Sequence, residues 1–305
     1  MIIVLRIQLI ILVLFALGFA ITKLGMYPPK TRADLTNLVL YVFLPCSIFS
    51  SFVNGAPPDM LIRGLTILLV SSGLQLLAFL LNKVLYLWIP PERQLILKYA
   101  TMINNATFMG LPVLGAVYGP TAVLYGSIFL IPARIMMWTA GISMFTDDEK
   151  GNRVRKMLTH PCMLAVVAGV AYTFAPFRLP VFMSDAIGWL GETTRVIPML
   201  TVGSIFSGVK LRQAVDKHNL YHSIIRLILL PAIMFGALIL LKTDPLITGV
   251  AVLLTAMPSA TVTAMFAEKY GKEMEFASKT VVVTTLLSIV TLPLIAAALT
   301  WLLPV

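Results

Sequence analysis

Asn104 and Asn105 head the stretch Asn104-Asn105-Ala106-Thr107-Phe108-Met109-Gly110-Leu111-Pro112, in the middle of an apolar run from about Leu95 to Val117. An asparagine amide offers a donor and an acceptor without a charge, so it can hold a carboxylate without trapping it. Proline costs roughly 3 kcal/mol inside a helix and disfavours helical geometry at the residue before it, which asks for a local break. In hydrocarbon such a break is tolerated only where protein buries it or where it lines a watery cavity. A second interruption, Leu254-Thr255-Ala256-Met257-Pro258-Ser259-Ala260-Thr261-Val262-Thr263, falls in the run from about Leu246 to Ala267. Half-helices starting near Pro112 and Pro258 would aim unpaired N–H groups at the gap between them, each tip carrying about half a positive charge. Such tips are anion sites. The residues expected to meet an anionic solute are therefore Asn104, Asn105, Thr107, Gly110 and Pro112 at the first tip, and Pro258, Ser259, Thr261 and Thr263 at the second. The plainer roles are cross-helix bonding for the asparagines and re-satisfaction of freed backbone for the hydroxyls.

Charges inside apolar segments are functional candidates by default. Arg134 follows Ile131-Pro132 and has no acid within one helical turn, so it needs a cross-helix partner, carbonyls or the solute itself. Glu192 and Arg195, three apart, share a helix face and can pair; otherwise Arg195 lends charge to a solute path and Glu192 accepts a coupling proton. Arg226 is expected to snorkel to a membrane edge, and His218 and His222 to lie on a solvated turn. No third metal ligand accompanies that histidine pair, and there is no Walker-type glycine loop, so no metal, cofactor or catalytic residue is expected.

These side chains must be positioned by helices. Of 305 residues, 59% are hydrophobic and 12% charged, about half the charge of an ordinary soluble domain. At roughly 20 residues per crossing, spans are expected near 3–22, 34–54, 61–83, 95–117, 121–145, 158–176, 183–208, 220–241, 246–268 and 276–303. The net charge of +10 sits in alternate loops rather than on a nucleic-acid face. Lys23, Lys30 and Arg32, then Lys83, Arg93 and Lys98, then Lys150 to Lys156, then Lys210 to Lys217, then Lys269 to Lys279 fall on one side. Arg6, Arg63, Arg178 and Lys242 fall on the other. The positive-inside rule then makes the first side cytoplasmic and puts both termini outside, in a cell (inner or plasma) membrane. Cys46 and Cys162 read as small core hydrophobes.

An odd number of spans per half inserts the halves with opposite orientation, so the spans divide as a 5+5 inverted repeat: 1–146, a cytoplasmic linker 147–157, and 158–305. Each interrupted span exits on the same dipeptide, Tyr118-Gly119 and Tyr270-Gly271. Leu44-Pro45 answers Ile197-Pro198, and Pro132 answers Pro293. Paired interrupted segments in two halves point to the binding site of a secondary transporter.

Asn105-Ala106-Thr107-Phe108-Met109-Gly110-Leu111-Pro112 resembles the Asn-x-x-Phe-x-Gly-x-Pro crossover of the auxin efflux carrier family. Ala256-Met257-Pro258 with Phe266-Ala267-Glu268-Lys269-Tyr270-Gly271 is similar to its second crossover and exit, and Asn37-Leu38-Val39 through Phe49-Ser50 to its second span. Relatives place an asparagine four residues after the second crossover proline, where this chain has Val262. The resemblance implies an all-α membrane protein of ten transmembrane helices with two crossed broken helices, the elevator fold of bile acid symporters and NhaA-like antiporters. In that fold, spans 1, 2, 6 and 7 form a scaffold and spans 3–5 and 8–10 a mobile part, commonly in a homodimer. It also implies transport of small organic anions: auxin in plants, malonate or malate in bacterial relatives. The alternatives are a sodium-coupled anion symporter of the bile acid type, disfavoured because the crossovers hold no carboxylates, and a membrane sensor or intramembrane enzyme, which would need an output domain or converging acids.

Overall fold

Proline placement decides where these helices begin and how they bend. A computed structural model describes residues 2–53, 60–137, 141–145, 159, 161–173, 177–208 and 215–303; the expected linker 147–157 lies outside them. Among the described residues the regular structure is helical, with one antiparallel bridge between Asn104 and Ser259. The helices are α1 Ile2–Lys23, α2 Pro29–Leu38, α3 Leu44–Val53, α4 Met60–Leu81, α5 Pro91–Met102, α6 Leu111–Tyr118, α7 Pro120–Met136 and α8 Ile142–Phe145. They continue as α9 Pro161–Thr173, α10 Val181–Glu192, α11 Ile197–Phe206, α12 Lys217–Ile224, α13 Leu230–Leu240, α14 Pro245–Thr255, α15 Thr261–Lys269 and α16 Met274–Leu302. Pro29, Pro91, Pro120, Pro161 and Pro245 each open a helix, where the missing N–H has no intrahelical bond to lose.

The π-turns Val39–Phe43, Ala106–Gly110 and Ile225–Leu229 each end directly before a Leu-Pro pair: Leu44-Pro45, Leu111-Pro112 and Leu230-Pro231. In each, the leucine N–H donates to the carbonyl five residues back, of Val39, Ala106 or Ile225. A proline ring collides with the carbonyl four residues before it and cannot bond to it. One extra residue in the preceding turn relieves the collision, and the helix continues. This corrects the expectation that a half-helix starts near Pro112. The chain breaks upstream, where Ile103 is extended (φ −114°, ψ 117°), and the new helix begins at Ala106 and runs through Pro112. The second break does fall at its proline: α14 stops at Thr255, α15 starts at Thr261, and Pro258 lies between. Both exit dipeptides place a glycine at positive φ just past the helix, Gly119 at φ 82° and Gly271 at φ 64°, backbone that only glycine adopts readily.

Helix α1 packs on α11, α3 on α9 and α10, α4 and α6 on α7, α13 on α14, and α12 and α15 on α16. Among the described residues, four helical stretches are long and apolar enough to cross a membrane: Pro29–Ser50, Arg63–Leu81, Lys217–Leu240 and Met274–Leu302. Their outer faces expose Leu65, Leu69, Leu240, Leu294 and Trp301, a surface that suits lipid rather than water. The chain is therefore a multi-pass membrane protein.

Backbone meets backbone between α1 and α11. A methyl group added at Gly18 would overlap the Leu200 carbonyl, and one at Gly203 the Phe15 carbonyl, whereas Gly236 has open space around it. Gly203→Val should cost about 2 kcal/mol or more and lower the unfolding midpoint in detergent, while Gly236→Ala should leave it unchanged or raise it.

Candidate functional site

Two helices that break inside an apolar body leave four chain ends in need of partners. The linking stretches satisfy part of that need by lying antiparallel. Asn105 N–H donates to the Pro258 carbonyl at 2.8 Å, and Ala260 N–H to the Ile103 carbonyl at 3.3 Å. Asn104 Nδ2 donates to the Leu254 carbonyl at 2.5 Å, and Ser259 N–H to Thr284 Oγ1 at 3.2 Å. Asn104 thus takes the cross-helix role, bonding α14's end, and also borders the cavity described below.

The two C-terminal ends converge on Arg226. Its Nε donates to the Met257 carbonyl at 3.1 Å, one terminal nitrogen to Thr101 at 3.0 Å and the other to Thr255 at 2.8 Å. Arg226 is 2% exposed, so it does not snorkel. Its neighbour one turn earlier overturns a second expectation. His222 is fully buried, with Nε2 bonded to Ser259 Oγ at 2.9 Å and Nδ1 to the Tyr86 hydroxyl at 2.8 Å. Thr101 Oγ1 donates to the Leu97 carbonyl and so accepts from Tyr86 at 2.6 Å. The donors then order themselves: Nδ1–H of His222 gives to Tyr86, and the Ser259 hydroxyl gives to Nε2, leaving a neutral imidazole.

A legible signal for both residues is present in the sequence. Asn219, His222, Ser223 and Arg226 recur at helical spacing and are all buried, while Leu220, Ile224 and Ile228 on the opposite face are exposed. This is a helix with its polar stripe turned inward, the pattern expected in lipid. Thr280 and Thr284 of α16 meet that side of the crossing, Thr280 Oγ1 donating to Asn219 Oδ1 at 2.7 Å.

The two N-terminal starts face a different space. Asn104, Asn105, Thr107, Arg134, Ala260 and Val262 line a cavity of about 20 Å³, closed by Leu44, Ile48 and Met137. That is room for about one water. The first amides of a helix have no partner within it, and both new helices begin at this wall. Arg134 is 3% exposed, and among the described residues no acidic one borders the cavity. Asn105 is 1% exposed, and neither its amide oxygen nor its nitrogen has a hydrogen-bond partner. A buried amide left unpaired costs about 1–3 kcal/mol per group.

The other expected residues are placed differently. Gly110 is buried at the helix crossing, where an added methyl would come 2.6 Å from the Leu254 side chain. Pro258 lies in the second break, and Ser259 is committed to His222. Thr261 and Thr263 are buried with unpartnered hydroxyls but do not border the cavity. Glu192 is exposed at the end of α10, before the 3₁₀ turn Thr193–Arg195 that precedes Ile197-Pro198. The ring of Pro112 and the side chain of Arg195 lie outside the described residues.

Apolar helices interrupted in pairs, crossing beside a closed polar cavity, define a membrane transport protein. The chain belongs to the membrane transport protein family, whose model matches residues 3–296, and this is the auxin efflux carrier family that the crossover motifs resemble. It is 26% identical over 294 residues to the "Putative malonate transporter" of Rhizobium meliloti (strain 1021), covering 91% of this chain and 90% of that one. It is 24% identical over 293 residues to an uncharacterized transporter of Methanothermobacter thermautotrophicus, covering 93% and 94%. A third relative, an uncharacterized transporter of Methanocaldococcus jannaschii, is 23% identical over 299 residues, covering 94% and 96%.

Replacing His222 by Leu strands the hydroxyls of Tyr86 and Ser259. Its unfolding free energy should fall by about 1–3 kcal/mol, read as a lower midpoint in detergent, with Tyr86→Phe costing less.

Proposed function

We propose that the protein is a secondary carrier of small organic anions, mono- or dicarboxylates, working by alternating access around the crossed helices, and that it is not an enzyme. The observation that carries this reading is the Asn105 amide, buried and unpaired on one wall with Arg134 and two helix starts. Each helix start contributes about half a positive charge, and Arg134 adds a full one. A carboxylate accepts hydrogen bonds only, which matches a wall of amide donors. The malonate named for the Rhizobium relative has this chemistry.

The rest of the reading follows the ten-span, 5+5 inverted repeat. Spans 1, 2, 6 and 7 serve as scaffold and spans 3–5 and 8–10 as the moving part, in a homodimer with both termini outside. Leu44 and Ile48 of the second span close the cavity that Asn105 and Arg134 line, so solute access requires those two groups of spans to separate. A polar latch joins them. Arg32 Nε donates to Glu268 Oε1 at 2.6 Å and Arg32 also reaches Ser204 Oγ at 3.3 Å, tying α2 and α11 to the end of α15.

Counterflow of labelled malonate in proteoliposomes tests the site. Asn105→Ala should lower exchange at least about tenfold, the equivalent of 1.4 kcal/mol, at unchanged expression and unfolding midpoint. Full exchange by that variant for malonate, malate and indole-3-acetate alike would sink the assignment. The latch makes a separate expectation. With both native cysteines replaced, a cysteine introduced at Met137 should react with an aqueous maleimide about tenfold faster when Glu268→Gln removes the ion pair, because losing a pair this buried costs more than a surface one. An unchanged rate would mean that the pair does not hold the closed state.

A further inference from the structure

We infer that the Arg226 guanidinium is a tethered cation built into the crossing: it occupies the carbonyl ends of both broken helices, and the carrier uses no sodium or potassium ion there. The inference rests on the carrier reading above and adds how its charge is balanced. A helix C-terminus carries about half a negative charge on carbonyls that lack intrahelical donors. Unwound carbonyls at half-helix C-terminal ends are where transporters hold coupling cations. In this chain those oxygens are taken. Thr101 ends one broken helix, Thr255 ends the other, Met257 lies in the second break, and each carbonyl meets a different nitrogen of Arg226 at 2.8 to 3.1 Å.

The fork is aimed by backbone that the sequence explains. Arg226 lies within the π-turn Ile225–Leu229 that Pro231 requires, on the inward stripe shared with Asn219, His222 and Ser223. The space beside it, bordered by Gln75, Thr101, Asn104 and Ala133, is about 10 Å³, room for at most about one water. A mobile cation on the same oxygens would sit a few ångströms from the guanidinium, and two like charges at 4 Å repel strongly in such surroundings. Arginine suits the task better than lysine because its planar fork reaches several acceptors at once and keeps its charge. Because one side chain binds both breaks, it also couples α5 and α14 to the α12–α13 helix as one unit.

The test uses the full-length protein purified in detergent and in proteoliposomes, with sodium, potassium and choline chlorides at equal ionic strength. For the unmodified protein the unfolding midpoint and malonate counterflow should be the same in all three salts. A sodium- or potassium-specific rise in midpoint, or a more than roughly twofold faster exchange in either salt, would overturn the inference. Arg226→Ala should lower the midpoint by on the order of 10 °C, and millimolar guanidinium, but not choline, should recover part of the loss; a midpoint equal to that of the unmodified protein counts against it. If Arg226→Ala does not purify, Arg226→Lys, which keeps the charge but reaches fewer carbonyls, should show a smaller loss with the same indifference to sodium. The stability measurements need no solute, so absence of malonate exchange would count against the carrier reading alone.

Discussion

Backbone groups released inside hydrocarbon have nowhere to go for water, and the crossing is organised around that fact. Each unpaired amide or carbonyl there costs several kcal/mol, so a double break survives only if every freed group is answered. The two linking stretches answer some of them by bonding to each other through Asn105 and Ala260. Asn104 and Thr284 answer others from the side, and Arg226 answers three carbonyls at once. What is left over is concentrated on one wall: two helix starts and the Asn105 amide.

Antiparallel crossing sorts these ends by sign. Both C-terminal ends lie on the side of Arg226, and both N-terminal starts on the side of Arg134. The two arginines are similarly buried, yet their electrostatic situations are opposite. Arg226 sits on carbonyl oxygens and its charge is compensated by the helix dipoles. Arg134 borders the cavity at which both new helices start, and among the described residues no carboxylate lines that cavity. A unit charge of opposite sign at about 4 Å gains on the order of 4 kcal/mol at an effective dielectric of 20. On the reading proposed above, that attraction suits the Arg134 side to an anion, while Arg226 serves as a structural joint.

Much of this was legible in the residues, for reasons that can be named. A proline between small and hydroxylic residues in an apolar run had to mean a disrupted helix, and the matching Tyr-Gly exits, with Leu44-Pro45 answering Ile197-Pro198, suggested a repeat. Asn105, Asn104, Thr107 and Arg134 do share a cavity. His222 and Arg226 were misplaced because local sequence near a basic loop reads as a solvated end, and only the third dimension shows which face of α12 turns inward. Their spacing with Asn219 and Ser223 was the available clue. Thr261 and Thr263 were reasonable by chemistry, but helical phase carries Val262 and Ala260 to the cavity instead. Val262, four residues after Pro258, presents an apolar wall there.

The displaced first break has the largest consequence. Had the helix started at Pro112, Leu111 and Gly110 would have formed the tip. The π-turn lets the helix pass through the proline, so the start moves back to Ala106, some six residues or about 9 Å of helix axis. Asn105 and Thr107 then stand at the tip, and Gly110 is carried one turn deeper, to where α6 must pass close to Leu254 and Met257. A side chain at that position would crowd the side chains of Leu254 and Met257 and force them to shift. The glycine and the proline in Gly110-Leu111-Pro112 thus serve the crossing, the first by closeness and the second by widening the turn before it. The asparagine that precedes them is left on the cavity wall.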